Sequence, residues 1–469
     1  MKSMTSAISP SLTSSSAILT TSLAWSLCLV FSMVTFLAPA LWNGFPIVFH
    51  DTAGYVGSVL EMTLIPGRSF FYGLFLWVAS FGWWSFWVPV LAQSLFTLWV
   101  IHLMLRCHDL SAGSLATTIF CVGLGMSTSV SWYTSQLMPD VLVPLVVLAL
   151  WLLGFRWERL SQRERTGLAA LALLGLLSHM SCMALGIGLA IIILVTWGVG
   201  RWRVWTPSLC SLSPVGVVAA SLILMPMVHL AVMGKATFTP GGPVFIFGSL
   251  VQDGIAQHWL GDHCPAPGIK LCGLQDRLPK TADEFLWDGS SPFLDLGGWE
   301  GAAGELSHLV KECFKAYPEA IVRTSLRATV LQMAMVATGE GLDEFHGATR
   351  GVFAASFPRA VKPFNAAYQQ QGQITKPLFD AFNRVHVPVA CLSVMGLIIA
   401  IGWGLHFKRH DLAGLASFTL LALLGNAFIC GALSNPHDRY QSRLIWLAPL
   451  VVGMMVMCWR QLWTEKQNW

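Results

Sequence analysis

Residues 166–200 read TGLAALALLGLLSHMSCMALGIGLAIIILVTWGVG, 35 positions without a single Asp, Glu, Lys or Arg. A bilayer core takes about 20 apolar residues per helix, so the run is long for one crossing and short for two. The flanks decide between them. Arg156, Arg159, Arg163 and Arg165 precede the run and Arg201 and Arg203 follow it; basic residues collect on the cytoplasmic side of a membrane. Both flanks share that side only if the run crosses twice, with an outer turn around His179.

The rest of the chain is of the same kind. Its 469 residues are 55% hydrophobic and 11% charged, with 21 Trp, against about 25% charge in an ordinary soluble domain. That composition excludes a water-soluble globule. The 28 Lys plus Arg nearly balance the 24 Asp plus Glu, and no basic tract is present, which sets nucleic-acid partners aside. Charge-free stretches predict about ten transmembrane helices, near 18–42, 83–105, 111–130, 138–155, 166–178, 181–200, 208–233, 385–406, 412–432 and 444–459. With the N-terminus inside, Lys2, Arg106, Arg156, Arg159, Arg163, Arg165, Arg201, Arg203, Lys408, Arg409, Arg460 and Lys466 are cytoplasmic, and the short outer loops hold only Arg68, Arg439 and Arg443.

The expected fold is therefore an all-α polytopic membrane protein. It divides into a cytoplasmic Ser/Thr-rich tail (1–17), a seven-span module (18–233) with a first outer loop at 43–82, an outer domain (234–384) and a three-span module (385–469). The outer domain carries 15 of the 24 acidic residues and is expected to be of mixed structure and periplasmic. A segment of that length without membrane periodicity usually serves function. An apolar first segment longer than a signal core is read as a retained span despite Ala38-Pro39-Ala40. In an oxidising compartment Cys264 and Cys272 are expected to pair, leaving Cys313 buried or free.

Ionisable groups at membrane depth are costly unless they serve a cavity, an ion or a substrate, and here they gather on one face. The first outer loop has His50-Asp51-Thr52-Ala53-Gly54-Tyr55; Pro139-Asp140 opens the fourth span; His179 stands between spans five and six; His437-Asp438-Arg439-Tyr440-Gln441-Ser442-Arg443 precedes the tenth. Each has a structural alternative. Asp140 after Pro139 suits a helix N-terminus, Asp51-Thr52 suits a helix cap, His179 suits an interhelical hydrogen bond, and Arg439 and Arg443 suit interface anchors. Together, carboxylates that can take a proton and guanidinium groups that can hold a phosphate suit transfer of a group from a lipid phosphate. In the outer domain, Arg323 and Arg327 share one face of an amphipathic helix after Pro318. That face lies either at lipid head groups or in solvent.

The layout resembles the GT-C superfamily of polytopic membrane glycosyltransferases: an acid in the first outer loop, a second at the mouth of span four in Met138-Pro139-Asp140-Val141-Leu142, and a late Arg439-Tyr440 followed by Leu447-Ala448-Pro449. The first loop differs in having one Asp followed by Thr where many members show paired acids, and the outer domain is inserted after span seven. The resemblance implies an inverting transferase that moves a sugar from a polyprenyl-phosphate donor in the bilayer to a hydroxyl of an unknown glycan, lipid or protein acceptor. Asp51 or Asp140 would be the base. Thr52, Tyr55, His179, His437, Asp438, Arg439, Tyr440 and Arg443, with Arg323 and Arg327, would hold substrate and the departing phosphate. A divalent cation, Mg or Mn, would fall to Asp51, Asp140 and His179. Such an enzyme would sit in a bacterial inner membrane with its site on the periplasmic side.

Rival readings are an O-antigen polymerase or ligase-like enzyme, which relies on loop arginines, and a transporter or flippase, which places charges near the midplane and often shows internal repeats. No repeat is visible. A non-enzymatic scaffold would tolerate loss of both Asp51 and Asp140.

Overall fold

The computed structural model describes residues 12–110, 113–200, 211–239, 241–343 and 347–467. Residues 1–11, Arg201 and Arg203 lie outside them. Every regular element among the described residues is helical. Among the described residues, seven helices are long and apolar enough to cross a membrane.

From the N-terminus these elements are α1 (Leu12–Asn43), α2 (Thr52–Leu60), α3 (Phe70–Ala79), α4 (Trp87–Cys107), α5 (Ser114–Ser127), α6 (Val130–Thr134), α7 (Leu142–Phe155), α8 (Gln162–Ser178), α9 (Met180–Gly200) and α10 (Ser213–Met233). Helix α1 starts within the stretch expected as a tail. His179 separates α8 from α9, and α8 begins at a capping box in which Ser161 and Glu164 satisfy each other's backbone N–H groups. All residues of α7 are buried. A helix apolar on every side belongs in the centre of a bundle, and α4, α8, α9, α10, α21 and α22 pack around it.

There follow α11 (Gly242–Gln252), α12 (Ile255–His263), α13 (Ala282–Trp287), α14 (Pro292–Asp295), α15 (Gly298–Gly301), α16 (Ala303–Ala316), α17 (Pro318–Ala334), α18 (Gly347–Ser356) and α19 (Pro358–Ala366). The mixed structure expected for 234–384 is thus corrected to helix. The local reasons are visible: Thr281 and Glu284 form a capping box for α13, and Pro at the first turn opens α14 and α17. Cys264 and Cys272 are joined by a disulfide, and Cys313 is buried.

This segment has two allegiances. Phe247, Trp259, Phe285, Phe293, Leu306 and Leu309 form a core of their own. Val336, Leu342, Phe353, Phe357, Phe364 and Ile374 instead join the main core with residues of α1 and α4. The last elements, α20 (Lys376–His406), α21 (His410–Ala432), α22 (Asp438–Ile445) and α23 (Leu447–Gln467), complete the bundle.

The first loop is pinned from both directions in sequence. Ile47 forms an isolated parallel bridge with Gln136. The side chain of Gln369 accepts from Val48 N at 3.1 Å and donates to Val48 O at 2.9 Å, while its own N–H donates to Asn43 Oδ1 at 2.8 Å.

Candidate functional site

A cavity of about 510 Å³ opens where the first loop, the α21–α22 junction, the 335–343 segment and α13 meet. Its walls include Asp51, Tyr55, Arg68, His179, Asp283, Trp287, Glu340, His437, Arg439 and Tyr440. The connections of α1, α4 and α21 place it at one end of the bundle. The pairs Arg106–Glu164, Arg159–Asp109 and Arg156–Asp411 lie at the other end.

Asp51 precedes α2 but its side chain makes no capping hydrogen bond. Instead one oxygen pairs with Arg68 and the other lies 3.5 Å from Arg439. Gly54 leaves room for this pairing, since a Cβ there would meet Arg68 Cγ at 2.7 Å. Arg439 also lies over the Phe49 ring, 4.2 Å from its centroid, and Arg68 lies 5.3 Å from that of Trp287; cations favour such ring faces. Gly341 has φ +71°, and a Cβ there would collide with Phe49. Glycine therefore lets the 335–343 segment close the cavity wall.

Glu340 holds the other side in place. Its carboxylate accepts from the His437 ring at 2.7 Å and from Arg439 N at 2.8 Å. His437 Nε2 lies 3.3 Å from Asp283 on α13, so the imidazole ties α13 to the start of α22. Burial alone would lower the His437 pKa, but hydrogen bonds and charge from Asp283 and Glu340 reverse this and raise it to about 9. The hydrogen bond to His437 holds the Asp283 carboxyl below its ordinary range; burial raises that of Glu340, and His437 more than offsets it. Tyr55 is 2% exposed, and burial, followed by the Asp51 charge, pushes its phenol well above its ordinary value. It remains a hydrogen-bond donor.

Behind the cavity wall lies a second, closed cluster. Arg443, 0% exposed, donates to Asp140 Oδ1 at 3.0 Å, Ser181 Oγ at 2.8 Å and Asn426 Oδ1 at 3.2 Å. His179 borders both clusters: it lines the cavity, and its Nε2 faces an Arg443 nitrogen at 3.3 Å. His179 Nδ1 accepts from Ser181 N at 3.2 Å and lies 2.8 Å from Ser181 Oγ, so the start of α9 holds the ring in place. Asp140 Oδ2 and Arg443 Nε find no hydrogen-bond partner among the described residues.

The expected site residues thus separate. Asp51, Tyr55, His179, His437, Arg439 and Tyr440 come together around the cavity. Asp140 and Arg443 do not line it; they pair with each other in the interior. Thr52 is buried, accepting from Phe49 N at 2.9 Å and donating to Leu137 O at 3.3 Å. Asp438 accepts from Ala337 N at 2.8 Å. Both fasten the walls. Arg323 and Arg327 stand exposed on α17 and are not among the residues that line the cavity.

Sequence reasoning missed Asp283, Trp287 and Glu340 and left Arg68 as a mere loop charge. Arg68 shares with Arg439 the signal of a cation in a short loop between apolar segments. The other three carry no local signal. No group of three or more His, Cys, Asp or Glu among the described residues is placed to hold a metal. Asp51, Asp140 and His179 each face guanidinium groups and do not form a ligand set. No family model matches the chain, and neither a curated protein nor a solved structure matches it.

Proposed function

We propose that the chain is an inverting GT-C-type glycosyltransferase that moves a sugar from a polyprenyl-phosphate donor to an acceptor hydroxyl at the outer face of a bacterial inner membrane. In this reading the ten apolar segments cross the bilayer, with α5, α7 and α8 as short crossings, and the helical segment around α11–α16 is periplasmic. Exposed Trp42, Trp77, Phe81 and Trp84 stand at or beside the ends of α1 and α3, where aromatic side chains suit the interface.

The observation that carries the reading is one carboxylate, Asp51, held between Arg68 and Arg439 on a cavity wall faced by Trp287. The donor phosphate takes the two guanidinium groups by charge-assisted hydrogen bonds, which frees Asp51. Asp51 accepts the acceptor's hydroxyl proton; the oxygen attacks the anomeric carbon from the opposite face; the bond from that carbon to the phosphate oxygen breaks, and its electron pair leaves on polyprenyl phosphate. Arg68 and Arg439 stabilise that charge as it develops. The sugar's C–H face suits the electron-rich ring face of Trp287, with Asp283 and Glu340 accepting from its hydroxyls. No step passes through a metal.

Transfer of radiolabelled sugar from polyprenyl-phosphate donors should fall about 10²- to 10⁴-fold in Asp51→Asn at matched expression, the usual worth of a positioned base. Full activity in that variant, or no transfer from any donor by the wild type, would return the transporter and scaffold readings to the front.

A further inference from the structure

The segment that closes the cavity, residues 335–343, follows α17, a helix with an unusual exposed face. Helix α17 packs along α21, where Gly431 has no Cβ to obstruct the Ala328 backbone. The Gln332 side chain bonds the His437 backbone twice, at 2.7 and 2.9 Å. Met333 lies 3.2 Å from the Gln441 amide, which also reaches Leu423 O on α21 at 3.2 Å. The last turn of α17 is therefore sunk below the end of α21 by roughly two helical turns, or about 10 Å.

Beyond it the backbone is irregular, and side chains of other elements hold several of its groups. Ala337 N donates to Asp438, Thr338 N to Asn383 and Asn383 to Thr338 O. Non-helical backbone at membrane depth persists only where protein groups satisfy it in this way. The exposed face of α17 changes character along its length: Glu319, Val322, Arg323 and Arg327 occupy the upper part, and Val330 and Leu331, 71% and 51% exposed, occupy the lower part. On α21, against which it packs, Leu424 and Phe428 are exposed as well.

We propose that α17 is a re-entrant helix seated in the bilayer leaflet at the cavity end, with Leu326, Val330 and Leu331 among acyl chains and Arg323 and Arg327 on phospholipid phosphates. The assignment rests on α21 being a span and is independent of the transfer reaction. Side chains of this kind place their charged tips at the head groups and their apolar parts below.

The test uses the full chain in anionic proteoliposomes, with Cys391, an exposed thiol, replaced by Ala. Spin labels at Glu319→Cys, Leu326→Cys and Val330→Cys are compared by their relaxation with oxygen and with a water-soluble nickel chelate. The Val330→Cys label should respond to oxygen and not to nickel, Glu319→Cys the reverse, and Leu326→Cys should fall between. Equal nickel access at Val330→Cys and Glu319→Cys would overturn the seating. In nanodiscs of mixed phosphatidylglycerol and phosphatidylcholine, Arg323→Gln and Arg327→Gln should each lower the enrichment of phosphatidylglycerol at the protein about fivefold. Unchanged enrichment in both would overturn the head-group assignment.

Discussion

Asp51 and Asp140 are both carboxylates paired with arginine, yet they stand in opposite circumstances. The Asp51 pair opens on a cavity, with its two partners reaching it from different segments of the chain. The Asp140 pair is sealed, at 0% and 1% side-chain exposure. An ion pair reached by substrate can exchange partners, and a sealed one can only hold its neighbours in register. Access, not residue type, separates chemistry from architecture here.

The widest separation between the clusters should appear in folding. Arg443→Ala leaves the Asp140 charge buried without its counterion, a loss of about 3–5 kcal/mol, measurable by unfolding in detergent. The double variant Asp140→Asn/Arg443→Gln should be destabilised less than the single one, because no uncompensated charge remains. A cost near zero for Arg443→Ala would erase the distinction. Arg439→Gln should do the converse, reducing kcat/KM for the donor about 10- to 100-fold, the worth of one hydrogen bond to a charged group, while leaving the unfolding transition nearly in place.

A smaller effect follows from the His437 bridge. The folded protein holds the imidazolium proton up to about pH 9, whereas an unfolded histidine releases it near 6.5. The bridge therefore contributes fully below about 6.5 and is lost as pH rises through about 9. At the acid end the lowered Asp283 and Glu340 carboxyls keep it intact into the ordinary carboxylate range and lose it below. Thermal stability should decline through pH 9 in the wild type, and the decline should vanish in His437→Gln.

The sequence was a good guide wherever one segment carries its own signal. Apolar runs located the bundle helices, and the uncharged run around His179 correctly announced two helices. Polar islands marked Asp51, His437 and Arg439 because each interrupts an apolar context. Burial of Arg443 was not legible, since it depends on α7, α9 and α21 closing around it. Glu340 and Asp283 look like ordinary surface acids in their own segments; only His437, brought from a distant position, makes them a pair. The helical nature of 281–301 could have been read from the Thr281/Glu284 capping box and the Ser291-Pro292 start, which Gly and Trp richness obscured.

The clamp of Gln369 on Val48 carries a consequence for time. The two residues are 321 positions apart, and at about 5–20 residues per second of synthesis the loop bearing Asp51 emerges roughly 16 to 64 s before the residue that closes it. A nascent chain in that interval carries Asp51 without the residue that clamps its loop, so an intermediate stalled before Gln369 would sit in the membrane with the cavity wall unfastened.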